Sequence, residues 1–394
     1  MSIAKKIFII SSALLASVLF FMGIYNVSFK EKTPVASQKT SEKETPAAGS
    51  EEKSALEKVA EAIGFSKNKE KIYSLSNEAV IAPAIAEDGK KINYYSRSEG
   101  SVFEVYLNGE GTQRIDNNNF SGLENVLWSA DKSKVISRFN NNVKIEYSSY
   151  NYILKKGSKL AGGIEYAVWS NLGDQIIYKY SDAKTGKKNI SIANYDGSDW
   201  KKIADISVSD AWIASVPQSS FVSFWNSPNS FNETSLNLVS TLGGEVRKIF
   251  SGHFGADYLW SPNGTKSLVS YVESKGGSKI WLGIINSNGG EFQNLNVPTF
   301  VSKCVWSKDS KTIYYAVPTF SSENYVLPND YQSRKVTTSD TFWKMDIASG
   351  KSERLVETKD INSSYDASNL ILSPSEDLLF FINKNDGKLY GINL

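Results

Sequence analysis

The sequence predicts an all-β protein built from a repeated four-stranded unit, and three observations support this fold class. A polar turn at a Trp-Ser dipeptide or its equivalent, followed by a strongly apolar strand, occurs seven times between residues 84 and 383. A second pattern of strand, glycine turn and polar strand occurs five times between these copies. The tryptophans that mark the first pattern are spaced by 41, 91 and 46 residues, and the middle step spans one degenerate copy. Two hairpins in each ~40–50 residues give four strands, which is the period of a β-propeller blade.

The seven copies of the first pattern share an apolar strand that neighbouring sheets must cover on both faces. They occupy 84–96, 127–139, 168–180, 213–225, 259–272, 305–317 and 370–383, and the second pattern occupies 105–115, 191–203, 238–249, 283–295 and 344–355. Residues 71–394 comprise 324 residues, or about 46 for each of seven blades. Six or eight blades stay open, because the copy at 213–225 lacks Trp-Ser and the second unit has a poor second hairpin.

The two ends of the repeat region are expected to close the ring. After the apolar strand at 378–383 only one further strand, at 388–394, remains, so the last blade lacks its outermost strand. The segment KIYSLS at 71–76 precedes the first full copy and is predicted to supply it. Such closure removes exposed sheet edges.

The N-terminal segment predicts a membrane anchor. Residues 7–25 carry no charge and are long enough to cross a bilayer as a helix. Lys5 and Lys6 favour a cytoplasmic position for residues 1–6, which places the rest of the chain outside the cytoplasm. A cleaved secretory signal is the alternative, although its apolar region is normally shorter. Both interpretations place the propeller on the extracytoplasmic side of the cell membrane.

Two segments separate the apolar run from the repeats. Residues 26–50 mix both charges with Pro, Ser, Thr and Ala, a composition typical of a flexible linker. Residues 51–64 predict a short helix, with Ser50 as N-cap and Gly64 at its end. The propeller is then expected to occupy residues 71–394.

Composition excludes several classes of function. The chain has one cysteine, Cys304, and one histidine, His253, which leaves no material for a cysteine- or histidine-rich metal site. Its formal net charge of +2 lacks the basic excess of a nucleic-acid-binding protein. There is no Gly-x-Ser-x-Gly elbow, phosphate-binding loop or dinucleotide fingerprint. We therefore expect no cofactor, no metal and no enzymatic activity, with Cys304 and His253 in structural roles.

One long insertion is the candidate binding site. Residues 318–340 interrupt the unit that begins at 305, and connections of this length are usually functional or mobile. The segment joins the second and third strands of its blade, on the face where the loop at 225–234 is also expected. Aromatic and arginine side chains often anchor interfaces. The candidate binding residues are Trp225, Phe320, Tyr325, Tyr331 and Arg334. The alternative is that the aromatic residues only pack these loops onto the ring.

The turn Trp-Ser-Pro-Asn-Gly at 260–264, with its degenerate copies and the glycine hairpins, resembles the TolB-type, WD-repeat-like repeat of bacterial envelope proteins. The resemblance covers 71–394 and implies a β-propeller in the cell envelope. It specifies the blade and carries over no site residues. The amino-terminal α/β domain of TolB has no counterpart in this sequence.

Three functions follow from these expectations. The first is a membrane-anchored extracytoplasmic propeller that binds a protein or a cell-wall glycan without catalysis. The second is an envelope hydrolase or lyase with carboxylates at the propeller channel. The third is an envelope assembly or sensor factor that couples to other membrane proteins through the linker.

Overall fold

A computed structural model describes residues 70–140 and 144–394 of the chain. The predicted cytoplasmic residues 1–6, transmembrane helix 7–25, linker 26–50 and helix 51–64 all lie outside the described residues. No helix within the described ranges is long and apolar enough to cross a membrane.

The described chain folds into antiparallel sheets that follow one another along the sequence. Three of them are four-stranded: β2–β5 (Val80–Ile85, Lys91–Ser96, Val102–Tyr106, Gln113–Arg114), β6–β9 (Leu123–Trp128, Lys134–Asn140, Ile145–Asn151, Lys156–Lys159) and β10–β13 (Ile164–Trp169, Gln175–Ser181, Lys188–Asn194, Lys201–Ile206). A seven-stranded sheet follows, β14–β20 (Ala211–Ser215, Phe221–Asn226, Glu233–Ser240, Arg247–Trp260, Lys266–Val272, Ile280–Asn286, Gln293–Val297). The last two are β21–β24 (Cys304–Trp306, Thr312–Phe320, Thr338–Asp346, Ser352–Arg354) and β25–β27 (Ala367–Leu372, Leu378–Asn383, Leu389–Asn393) with β1 (Ile72–Ser74). Helical turns are confined to Val301–Lys303, α1 (Asn329–Gln332) and Thr358–Asp360 within these residues.

The seven-stranded sheet contains two of the predicted repeats, because β17 continues through both. The first half of β17 pairs with β16, and its second half pairs with β18. The register shifts between Phe254 and Asp257, where Gly255 adopts a φ of +57°. A Cβ atom at Gly255 would lie 2.7 Å from the ring of Pro328, so glycine is required there by both conformation and space.

The ring closure predicted from the sequence is confirmed by the pairing of the two chain ends. Strand β1 pairs antiparallel with β27, with Ile72 opposite Ile392. The amide of Leu75 donates to the carbonyl oxygen of Leu389 at 2.8 Å. The segment at 71–76 therefore supplies the outermost strand of the last sheet and joins the two ends of the repeat region.

The tryptophans of the repeat hold successive sheets together. The indole nitrogen of Trp128 donates to the carbonyl oxygen of Ala82 at 2.9 Å, and that of Trp169 donates to Leu127 at 2.8 Å. Trp306 makes the equivalent bond to Leu259 at 3.2 Å. Each bond runs from one sheet to the sheet before it, so a buried donor finds its partner only when neighbouring sheets pack face to face.

Candidate functional site

The insertion in the β21–β24 sheet is partly strand and partly a folded loop. Strand β22 ends at Phe320 and strand β23 begins at Thr338. The short helix α1 lies in the loop between them. The side-chain oxygen of Asn329 in α1 accepts hydrogen bonds from the amide and hydroxyl of Ser230, at 3.0 and 2.9 Å. The insertion therefore contacts the β15–β16 loop, as expected for two loops that share one face.

The predicted aromatic residues of the insertion form a packed cluster. The Tyr331 ring stacks on Phe300 with centroids 4.6 Å apart, and Phe320 lies 4.5 Å from Tyr325. Leu327 and other apolar side chains fill the space around them. Phe320 and Tyr325 are half-buried in this cluster. They therefore pack the loop onto the ring, which is the alternative role given above for the aromatic residues.

Trp225 lies apart from this cluster and is only 4% exposed. Its indole nitrogen donates to Oδ1 of Asp257 at 3.1 Å, and the amide of Tyr258 donates to the same oxygen at 2.9 Å. Burial raises the pKa of Asp257 from its ordinary value of 3.8 to about 7, against the effect of these two hydrogen bonds. The position of Trp225 thus makes it a partner of a buried carboxyl group.

The raised pKa of Asp257 predicts a pH-dependent stability. The carboxyl group is protonated in the folded protein below about pH 7 but ionises near pH 4 when unfolded, so its stabilising contribution is lost as pH rises through 7. Between pH 4 and pH 8, the wild-type protein should lose on the order of 3 kcal/mol relative to Asp257→Asn. Urea unfolding at both pH values measures this. The control Asp205→Asn changes an exposed carboxylate and should keep the wild-type pH dependence of the free energy of unfolding. If Asp257→Asn and the wild type changed by the same amount between the two pH values, the prediction would be contradicted.

A buried ion cluster lies beneath the insertion. The ammonium of Lys303 is fully buried and lies 2.5 Å from Oδ2 of Asp340 and 2.8 Å from Oδ1 of Asp366. It also donates to the hydroxyl of Thr338 at 3.1 Å and the carbonyl oxygen of Ala367 at 3.0 Å. Burial alone would raise the pKa of Asp366, but the charge of Lys303 and the hydrogen bonds that Asp366 accepts hold it below its usual range. The cluster joins the 3-10 turn at Val301–Lys303 to the last two sheets.

Tyr331 connects this cluster to the surface. Its hydroxyl donates to Oδ1 of Asp366 at 2.7 Å, which fixes the ring orientation. The ammonium of Lys384, in the β26–β27 turn, lies 3.7 Å from the centroid of that ring. Burial lowers the pKa of Lys384 to about 8; Asp366 opposes this shift, while the charges of Lys303 and Arg334 add to it. A substantial fraction of Lys384 is therefore a neutral amine near pH 8.

A cavity of about 460 Å³ opens above Tyr331. We call it the basic pocket; its lining includes Arg97, Ser302, Tyr331, Arg334, Lys384 and Asp386. Arg97 lies in the β3–β4 turn and Arg334 at the end of α1, where it adopts a φ of +59°. Within residues 70–140 and 144–394, neither guanidinium group has an ion-pair or hydrogen-bond partner. Three cationic side chains therefore face one cavity that contains a single lining carboxylate.

The structure brings together only part of the predicted site. Tyr331 and Arg334 line the basic pocket. Phe320 and Tyr325 pack behind it. Trp225 is buried in another sheet, next to Asp257. Sequence reasoning missed Arg97, Lys303 and Lys384. Of these three, only Lys303 could have been noticed in the sequence, because it is a charged residue in the apolar segment before Cys304.

The single cysteine and histidine occupy packed positions. Cys304 is 6% exposed, and burial raises the pKa of its thiol. The His253 ring lies 4.6 Å from Phe292 and 4.9 Å from Phe250, and burial lowers its pKa. No group of three or more His, Cys, Asp or Glu side chains in the described part of the chain could hold a metal ion.

Comparison with known proteins shows the fold. No protein-family model matches the chain, and no curated protein matches it. An oligogalacturonate lyase in complex with manganese matches with a TM-score of 0.58 and 11% identity, over 84% of this chain and 95% of that one. The oligogalacturonate lyase of Vibrio parahaemolyticus gives 0.55 and 12%, over 82% and 93%. The β-propeller domain of the Trilobed protease from Pyrococcus furiosus gives 0.50 and 11%, over 80% and 95%. The predicted all-β propeller is confirmed, and solved TolB structures are also among its neighbours.

The expectation that the protein has no enzymatic activity is contradicted by these neighbours. Two of the similar structures are named as lyases, so a propeller of this kind can carry catalysis, and the absence of the motifs sought in the sequence does not exclude it. The physical reason is that loops of different sheets can bring their side chains to one cavity, as the loops with Arg97, Arg334 and Lys384 do. Such groups need no fixed spacing along the chain.

Proposed function

We propose that the protein is a lyase that binds an acidic saccharide through its carboxylate in the basic pocket. The observation that carries this proposal is the convergence of Arg97, Arg334 and Lys384, three cations from separate loops, on one cavity. Arginine binds carboxylates in a bidentate geometry, and its charge-assisted hydrogen bonds are among the stronger ones in proteins. A ligand carboxylate would supply the partner that both guanidinium groups lack.

The size and walls of the basic pocket fit a small saccharide. Its volume of about 460 Å³ lies within the range of small-molecule sites. Ser302 and Asn385 add neutral polar groups of the kind that bind sugar hydroxyls. The names of two similar structures specify oligogalacturonate, a chain of uronate sugars, which supports a uronate as the ligand class.

The chemistry supported by these residues is β-elimination. The neutral amine of Lys384 takes the proton from the carbon next to the carboxylate, and the electrons of that C–H bond form a carbon–carbon double bond. The bond from the adjacent carbon to the leaving sugar oxygen breaks, and that oxygen takes a proton from solvent. Arg97 and Arg334 stabilise the negative charge that builds on the carboxylate during proton removal.

One similar lyase is named as a manganese complex, whereas the described residues contain no group of three or more His, Cys, Asp or Glu side chains that could hold a metal ion. We therefore derive no step through a metal ion.

Oligogalacturonate binding tests the role of the two arginines. Arg97→Ala and Arg334→Ala should each weaken binding about tenfold to a hundredfold, because each removes a charge-assisted hydrogen bond to the carboxylate. Isothermal titration calorimetry measures the dissociation constants. Lys351→Ala, which removes an exposed cation in the β23–β24 turn, should bind like wild type. Failure of the wild type to bind, or equal affinity of all four proteins, would overturn the proposal.

We further propose seven blades and an extracytoplasmic location. The seven blades are the five four-stranded sheets and the two units that share β17. The location is supported by the apolar run at 7–25 and the lysines before it. Protease digestion of the propeller in intact cells with a permeable outer layer tests it; full protection would contradict it.

A further inference from the structure

Exposed aliphatic side chains occur at the turns of three adjacent four-stranded units. Ile153 and Leu154 lie in the β8–β9 turn and are 76% and 62% exposed. Leu172 in the β10–β11 turn is 82% exposed, and Leu242 in the β16–β17 turn is 92% exposed. Single exposed apolar side chains are common on protein surfaces, whereas their grouping in one region marks an interaction site.

These turns lie on one face of the propeller. The amide of Tyr152 donates to the carbonyl oxygen of Ser133 at 2.9 Å, which ties the β8–β9 turn to the β6–β7 turn. The amide of Thr241 donates likewise to Ser220 at 2.7 Å. Asn171, next to Leu172, reaches the neighbouring unit at the carbonyl oxygen of Ser219, 2.7 Å away. Because the strands are antiparallel, this face is opposite to the one with the basic pocket.

The other turns on this face carry no large apolar side chain at their tips. Their four-residue tips contain only Gly, Ala, Pro, Ser, Thr, Asn and charged residues, at 87–90, 108–111, 262–265, 287–290, 308–311, 348–351 and 374–377. Phe292, at the end of the β19–β20 turn, is 38% exposed but packs against Phe250 and Tyr271. The apolar tips are therefore confined to one sector of the face, which we call the apolar sector, formed by β6–β17.

Lysine pairs flank the apolar tips. Lys155 and Lys156 follow Leu154 directly, and Lys201 and Lys202 follow Trp200, which is 50% exposed at the start of β13. All four lysines are exposed, and Lys202 also forms an ion pair with Asp205 at 2.9 Å. Protruding apolar tips with adjacent lysines match the chemistry of a bilayer surface, where the apolar groups enter the acyl region and the ammonium groups meet anionic headgroups.

We propose that the apolar sector docks onto a bilayer that contains anionic lipids. A bilayer fits better than a protein partner, because the tips stand apart on separate turns and do not border a groove. The sequence places 44 residues between the apolar run that ends at 25 and residue 70. A chain of 44 residues can span at most roughly 150 Å. A propeller tethered through 7–25 could thus lay this sector on the same membrane, which would orient the basic pocket away from it.

Site-specific quenching in vesicles tests the proposal. The full chain is reconstituted in phosphatidylcholine vesicles that contain phosphatidylglycerol, with an environment-sensitive fluorophore on Leu172→Cys or Leu242→Cys. Ala348→Cys, at an exposed turn of the same face outside the apolar sector, is the matched control. The native thiol, Cys304, is buried, and a labelled wild-type sample gives the background.

The expected result is quenching by lipids brominated in the acyl chain at 172 and 242, at least about threefold stronger than at 348 and weaker in vesicles without phosphatidylglycerol. Equal quenching at the three positions, or none, would overturn the proposal. Since oligogalacturonate binding does not enter this experiment, its outcome is independent of the proposed lyase activity.

Discussion

Replacing Lys303 with methionine should destabilise the protein by about 3–5 kcal/mol, because two buried carboxylates would lose their cation. The ammonium of Lys303 lies 2.5 Å from Asp340 and 2.8 Å from Asp366, and all three side chains are almost inaccessible to water. Methionine keeps most of the volume of the lysine stem, so the loss reports charge and not a cavity. Urea unfolding at pH 7 measures the effect.

Two further variants separate this effect from a general sensitivity of the region. In the triple variant Lys303→Met, Asp340→Asn, Asp366→Asn, no buried charge is left without a partner, so most of the lost stability should return. Lys335→Ala breaks the solvent-exposed ion pair with Asp330 in the same insertion and should leave the unfolding midpoint unchanged. A Lys303→Met protein as stable as wild type would show that the carboxylates are neutral in the folded state.

The ion cluster also holds the wall of the basic pocket in place. Asp366 accepts hydrogen bonds from both Lys303 and Tyr331, and the Tyr331 ring supports Lys384. Loss of Lys303 should therefore disorder the ring as well as weaken the fold. Positioning of this kind, where one side chain acts through another, is what a preorganised site requires.

The fold could be predicted because every unit of the sequence must satisfy the same packing and hydrogen-bonding requirements. A tryptophan such as Trp128 or Trp169 must find a carbonyl oxygen in the preceding sheet, and the apolar strand after it must be covered on both faces. These requirements recur in every unit, so the same residue pattern repeats along the sequence. The closing strand at 71–76 followed from the same count, since the last unit lacked one strand.

The site could be predicted only where it interrupts that period. Tyr331 and Arg334 became candidate residues because the insertion at 318–340 exceeds an ordinary connection. Arg97 and Lys384 each sit in a turn of normal length, 287 residues apart, and only ring closure brings them together. The spacing of residues within one segment of sequence cannot predict that two such distant residues lie close together. For the same reason the absence of a catalytic motif did not exclude catalysis.

Replacing Lys384 with arginine should abolish most of the proposed lyase activity while keeping the ligand bound. Arginine preserves the positive charge beside Tyr331 but stays protonated at any pH at which the protein is folded, so it cannot accept the proton from the substrate. Loss of a general base typically lowers kcat by about 10²–10⁴. Ultraviolet absorbance of the unsaturated product from oligogalacturonate measures kcat, and calorimetry measures the affinity.

The pH profile gives this prediction a second readout. The active form of Lys384 is the neutral amine, and its pKa is lowered to about 8, so wild-type kcat should rise with pH and level off above 8. Lys388→Arg, a conservative change in the same turn, should keep both the rate and the profile. If Lys384→Arg retained the wild-type rate and profile, another group would have to be the base. Binding without product in the wild type would overturn elimination itself while leaving the basic pocket as the place where the acidic saccharide is held, because the arginines act on the carboxylate before any proton moves.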